Sequence, residues 1–227
     1  MLENRSEPRR LLDVSAISSR GEMPGYVVDV LNFALTLEHL EAEFYTRGVN
    51  ASGLLSGVMQ TAAAQIMKHE VAHVRVLQSL LGERAIQKPA FDFTAGGTFP
   101  GAFSDARTFM ALAQAFEDTG VRAYKGQAAH IMTHRTLLTQ ALQIHSVEAR
   151  HAAHIRRLRG QNGWITRDDR GDLPEATQKV YAGDNARFQF ILAQPSSHKD
   201  DLTQAFDEPL NMGQVLEIVK PFIGGGA

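Results

Sequence analysis

Apolar residues in this chain of 227 residues recur at helical spacing in four long stretches. In the first they fall at Val27, Leu31, Ala34, Leu35, Leu37, Phe44 and Tyr45, steps of three and four that line one face of a helix. Pro24 suits its first turn, where a missing N–H loses no bond, and Gly48 followed by Asn50-Ala51-Ser52-Gly53 predicts its end. A second helix is predicted from about residue 54 to 81 through Ile66, Val71, Val74 and Leu77, with Gly82 as its stop. Ser104-Asp105 offers an N-cap to a third, periodic through Phe109, Leu112, Phe116, Val121 and Tyr124. After a weak break at 133–136 a fourth continues through Leu137, Leu142, Ile144, Val147 and Ile155 to Gly160. No stretch alternates as a strand does. The pattern is all-α.

The connections divide the chain. Helices one and two, and three and four, are joined by short breaks, so each couple is an antiparallel hairpin. Residues 83–103 between the couples are about twenty where roughly 4–6 is usual, a long crossover. Within it 88–101 hold two Pro, three Gly and the phenylalanines Phe91, Phe93 and Phe99, which predict a loop pinned along an apolar surface. Residues 1–22 read as an arm and 23–160 as the bundle. Residues 161–227, rich in Gly, Asp and Pro, read as an extension packed on it, with short helices near 174–181 and 212–219.

Composition narrows the chemistry. With 23 Lys+Arg against 25 Asp+Glu the formal charge is −2, which gives no global attraction to nucleic acid or an anionic membrane. No run of eighteen apolar residues predicts a membrane helix, and Leu11-Leu12 is too short for a signal peptide's apolar core, so a cytoplasmic location is expected. There is no Cys. Thiolate nucleophiles and Cys-held zinc or iron–sulfur sites are therefore excluded, and any metal must be held by His and carboxylate.

Those residues form a repeat. Glu38 is followed by Glu70-Val71-Ala72-His73, and Glu117 by Glu148-Ala149-Arg150-His151, at separations of 32 and 31 residues. Seven residues after each leading Glu stands a Tyr, Tyr45 and Tyr124, two helical turns along the same face. Chance would supply only about half of one Glu-x-x-His in a chain of this composition. The midpoints of Glu38–Glu70 and Glu117–Glu148 fall at the two hairpin breaks, so each pair of carboxylates lies level across its hairpin. The i,i+3 spacing in Glu-x-x-His puts both side chains on one face. Four carboxylates and two imidazoles then meet in a bundle core, where uncompensated charge is costly and two divalent cations would neutralise it. Hard oxygen and borderline nitrogen donors suit iron or manganese.

At these residues the chain resembles the ferritin-like superfamily. The segments Leu37-Glu38-His39-Leu40-Glu41-Ala42-Glu43-Phe44-Tyr45 and His145-Ser146-Val147-Glu148-Ala149-Arg150-His151 look closest to its ferritin-like domain and desiccation-related group. The resemblance covers about 24–160 and implies a ferritin-like four-helix bundle, two antiparallel pairs joined by a long crossover. It implies metal ligands at Glu38, Glu70, His73, Glu117, Glu148 and His151. It also implies a small-molecule oxidant, dioxygen or peroxide, acting at two iron or manganese ions. The expected function is therefore oxidoreductase (ferroxidase, peroxidase or catalase-like), in a stress or desiccation response. The alternative is a stress-protective bundle whose metal site catalyses nothing. Apolar positions in the tail suit a homodimer.

Several residues admit two readings. His69-Glu70-Val71-Ala72-His73 is also a literal zinc-protease signature, although the extended form's Gly and His are replaced by Val76 and Ser79. In the dimetal reading His69 is a supporting or surface group instead. Glu41 and His154, each one turn from a ligand, either orient that ligand or solvate the helix. Tyr45 and Tyr124 are core aromatics that could bond a ligand carboxylate on a neighbouring helix. His130, His134 and His145 read as solvated loop residues, and Arg150, Arg156, Arg157 and Arg159 as a run favoured by the helix dipole.

Overall fold

The computed structural model describes residues 23–185 and 199–224; the arm assigned to 1–22 lies outside them. Four long helices, α1 (Gly25–Asn50), α2 (Gly57–Leu81), α3 (Ala106–Ala128) and α4 (Arg135–Leu158), form the bundle, with α1 packed mainly on α2 and α3 on α4. Two shorter helices follow, α5 (Lys199–Ala205) and α6 (Met212–Val219). Among the described residues there is no strand, only an isolated bridge between Phe91 and Ile223.

Element ends follow local chemistry. Asp105 caps α3 by accepting from the Thr108 N–H, and a 3₁₀ turn at Ala129–Ile131 makes the break before α4. Asn211 and Gln214 cap α6 reciprocally. Two expectations need correction. Helix α2 begins at Gly57, not 54, because Leu54 and Leu55 are drawn into the core and cannot continue one helical face. Gly48 does not end α1 either. It is there because the Phe109 ring lies against the backbone, where an added Cβ would stand 2.1 Å from Phe109 Cε2. Helix α5 sits in a polar stretch whose sequence has no apolar period to predict it.

The crossover is pinned as its phenylalanines predict. Phe93 and Phe99 are buried, Phe44 stacks on Phe109 at 4.4 Å, and Phe93 and Phe103 pack around Phe44 beneath the Arg47 guanidinium. Residues near the C-terminus pair with this loop through Asp92 N–H to Phe222 O and Gly224 N–H to Ala90 O. The segment after α4 is fastened by Arg122 of α3, which is wholly buried. Its guanidinium donates to the carbonyls of Val180, Ala182 and Glu208 and pairs with Asp184. Arg156, read from sequence as a dipole partner, instead forms a buried ion pair with Asp118, to which Tyr181 also donates.

Among the described residues three apolar clusters result, a small one under the segment after α4 around Leu173, Val180 and Tyr181, and two larger ones within the bundle. One gathers Phe44, Ile66, Phe109, Phe116 and Ile155; the other gathers Leu31, Leu35, Leu77, Ile131 and Ile144. Between them, at the level of Glu38, the core turns polar.

Candidate metal centre

Each bundle helix delivers its acidic residue to this level. Glu38 (α1), Glu70 (α2), Glu117 (α3) and Glu148 (α4) are all 0% exposed, although carboxylates are ordinarily left at the surface. His73 and His151, one turn beyond Glu70 and Glu148, turn inward beside them. The six fall into two groups of potential ligands, Glu38, Glu70, His73 and Glu148, and Glu70, Glu117, Glu148 and His151. Within each group the donor atoms lie within 4.8 Å of one another.

The distances show how the groups share residues. His73 Nδ1 faces Glu38 Oε2 at 3.2 Å, Glu70 Oε2 at 3.0 Å and Glu148 Oε1 at 3.2 Å. His151 Nδ1 faces Glu70 Oε1 at 2.9 Å, Glu117 Oε2 at 3.2 Å and Glu148 Oε2 at 3.8 Å. Glu70 and Glu148 thus give one oxygen to each group, while Glu38 and Glu117 serve one apiece. A single ring nitrogen carries at most one hydrogen and cannot satisfy three oxygens. Glu70 Oε1, Glu117 Oε2, both oxygens of Glu148 and His151 Nδ1 are accordingly buried without a hydrogen-bond partner. Orphaned donors that converge on a point are what a cation would satisfy.

Electrostatics point the same way. Burial, reinforced by neighbouring carboxylates, pushes Glu70 up to about 7 and Glu117 up to about 8. Glu38 is raised mainly by burial. Burial would raise Glu148 as well, but the His151 and His73 imidazoles that face it prevail and hold it at about 2. Burial opposes charge on His73, yet Glu148, Glu38 and Glu70 around it lift it to about 12, and His151 is raised for the same reason. Two imidazolium rings therefore stand in for positive charge amid an excess of carboxylates.

The surrounding residues orient these six. Tyr45 donates to Glu117 Oε1 at 2.5 Å and Tyr124 to Glu38 Oε1, each across the bundle to the other hairpin's leading Glu. With each Tyr two turns past its own Glu, this reciprocity requires α1 and α3 to run in opposite directions. His69 is bonded to Gln65 and, through Nδ1, to His151 Nε2 at 2.9 Å, with the two rings stacked. It belongs to neither ligand group, so the zinc-protease arrangement, in which His69 and His73 meet at one ion, is not formed.

Glu41 is buried beside Glu148, where Gly120 of α3 leaves room. An added Cβ at Gly120 would lie 3.3 Å from both Glu41 Oε1 and Glu148 Oε2. Burial, then the charges of Glu148, Glu117, Glu70 and Glu38, raise Glu41 well above the usual carboxylate range. His154, its sequence counterpart, is exposed and reaches none of these groups. His145 lies within α4 and is half-buried, not a solvated loop residue as expected.

A bundle of two hairpins with a long crossover, holding a Glu/His cluster at mid-height, invites comparison with known families, and the family described as a ferritin-like domain matches residues 26–161. The chain belongs to the ferritin-like domain family. The match spans the four bundle helices and stops just after the end of α4. No curated protein matches this ferritin-like chain. Its buried carboxylate and imidazole cluster is able to hold a metal.

Proposed function

We propose that this protein is a carboxylate-bridged dimetal oxidoreductase acting on dioxygen or peroxide. The observation that carries the reading is the sharing of Glu70 and Glu148. Each divides its oxygens between two groups that are otherwise completed by one Glu and one His. Two adjacent divalent cations fit that donor set, and the absence of sulfur favours iron or manganese over softer-ligand metals. When bound, such ions supply redox equivalents and open coordination positions for a small oxidant.

The chain's own residues supply the rest. Tyr45 and Tyr124 fix the outer carboxylates, and His69 fixes the ring of His151. The apolar clusters on either side exclude water and strengthen every charge interaction at the centre. Glu41, beside Glu148 and raised well above the usual carboxylate range by burial and the surrounding carboxylates, would be the group able to hold a proton at the centre. A role under oxidative or desiccation stress is carried by the resemblance of residues 37–45 and 145–151 alone.

The test is the double variant Glu70→Ala, Glu148→Ala. Elemental analysis should find about two metal equivalents in the parent protein and none in the variant. Peroxide consumption, or ferrous iron oxidation in air, should be lost with them. Two retained equivalents in the variant would overturn the ligand assignment. A metal-replete parent that turns over neither peroxide nor ferrous iron would leave the non-catalytic reading in its place.

A further inference from the structure

Between α1, α2 and the crossover lies a groove of about 290 Å³, open to solvent and separate from the metal centre. Its walls are built from neighbours of the ligands, His39 beside Glu38 and Val71 and Val74 on either side of His73, but from none of the six themselves. Three charged residues line it, one from each element: Glu43, Arg75 and Lys88. Lys88 Nζ meets Glu43 Oε2 at 2.7 Å, which occupies one of the three N–H groups of the ammonium. Arg75 is exposed and makes no hydrogen bond or ion pair among the described residues. His39 is 5% exposed, and its Nε2 is buried with no hydrogen-bond partner.

Two cations against one carboxylate leave the groove positive, and Arg75 carries the charge that Glu43 does not offset. A buried imidazole without a partner costs stability, so the ring calls for one. Imidazole can serve a donor or an acceptor, and here the neighbouring cations favour an acceptor that bears negative charge. Solvent fits the groove but does not balance its charge. Guanidinium and ammonium groups set side by side are the means by which proteins hold carboxylate and phosphate oxygens. We propose that this groove binds a small oxyanion, a phosphate or carboxylate group, between Arg75 and Lys88, with an N–H of His39 as its buried donor. Val71 and Val74 give the carbon body of such a molecule an apolar wall. The inference does not depend on the dimetal reading.

The probes are inorganic phosphate and acetate, titrated into the full chain at constant pH and low ionic strength and followed by calorimetry. Each is run on protein as purified and on protein stripped of metal by a chelator. In the stripped protein, NMR of the His39 ring and of the Val71 and Val74 methyls reports where the anion sits. At least one of the two should bind saturably with a Kd of about 1 mM, as suits a few heavy atoms on exposed charges, with metal or without. Arg75→Gln should weaken binding roughly fivefold, and adding Lys88→Gln should abolish it. Glu43→Gln should strengthen binding by a similar factor, because it removes the carboxylate that competes for Lys88.

No saturable binding of either anion, shifts that miss His39, or affinities indifferent to the three substitutions overturn the proposal. Binding that disappears with the metal overturns it as well, since the anion then sits on the ions. If the groove binds, the tighter of the two anions identifies which group it takes.

Discussion

Two tyrosines hold the outer carboxylates of the centre, and each comes from the opposite hairpin. Removing one hydroxyl should therefore weaken one metal position and spare the other. Tyr45→Phe frees Glu117 and Tyr124→Phe frees Glu38, and chelator competition should show a loss of roughly 10–100-fold at one of two sites in either variant. Equal weakening of both positions would contradict the assignment of Glu38 and Glu117 to separate groups. At this scale the sequence was highly legible. Matched spacing forces Glu38, Glu70, Glu117 and Glu148 to one depth, because a helix advances a fixed distance per residue. What spacing does not encode is which oxygen faces which nitrogen, or that Gly120 clears space for Glu41 while His154 points to water. Glu41 and His154 look alike in sequence, each i+3 from a proposed ligand, and only packing tells them apart.

The four helices were readable from their period, and the crossover from its length and its phenylalanines. Ends were less so, since glycine has two uses that look identical in sequence. It stops helices where a positive φ is needed, as at Gly82 with φ +57°, and it permits close approach where a side chain would collide, as at Gly48. Gly48→Ala gains helix propensity but drives a methyl into the Phe109 ring, itself stacked on Phe44. Overpacking should prevail and cost about 1–3 kcal/mol, read from the midpoint of urea unfolding with its slope unchanged. A stabilised variant would mean the glycine serves only as a helix stop. Arg122 escaped sequence reading for a related reason. Its partners are mainly the backbone carbonyls of Val180, Ala182 and Glu208, which carry no side-chain signature.

For the molecule as a whole, the centre sets how stability follows pH. Glu70 and Glu117 titrate in the folded protein at about 7 and about 8, above the ordinary value of 4.5. Between that value and pH 8 the unfolded chain binds fewer protons than the folded one, so stability without metal falls as pH rises. His73, raised from 6.5 to about 12, adds to the loss above neutrality, because the proton it holds when folded is released on unfolding. Metal must displace those same protons, so its affinity strengthens with rising pH. The melting temperature of metal-free protein should thus decline from pH 5 to 8 while the metal-loaded form holds, and the gap between them should widen. Parallel curves would show that the cluster does not exchange protons for metal.

The three-and-one division of each ligand group between the hairpins has a mechanical corollary. One group takes Glu38, Glu70 and His73 from the first hairpin and borrows Glu148; the other takes Glu117, Glu148 and His151 from the second and borrows Glu70. Neither half owns a full set. A cation held there would rivet two half-molecules together, and the aromatic crossover is the cord that keeps them within reach of one another. The cord sets how often the halves meet. The rivet would decide whether they stay closed.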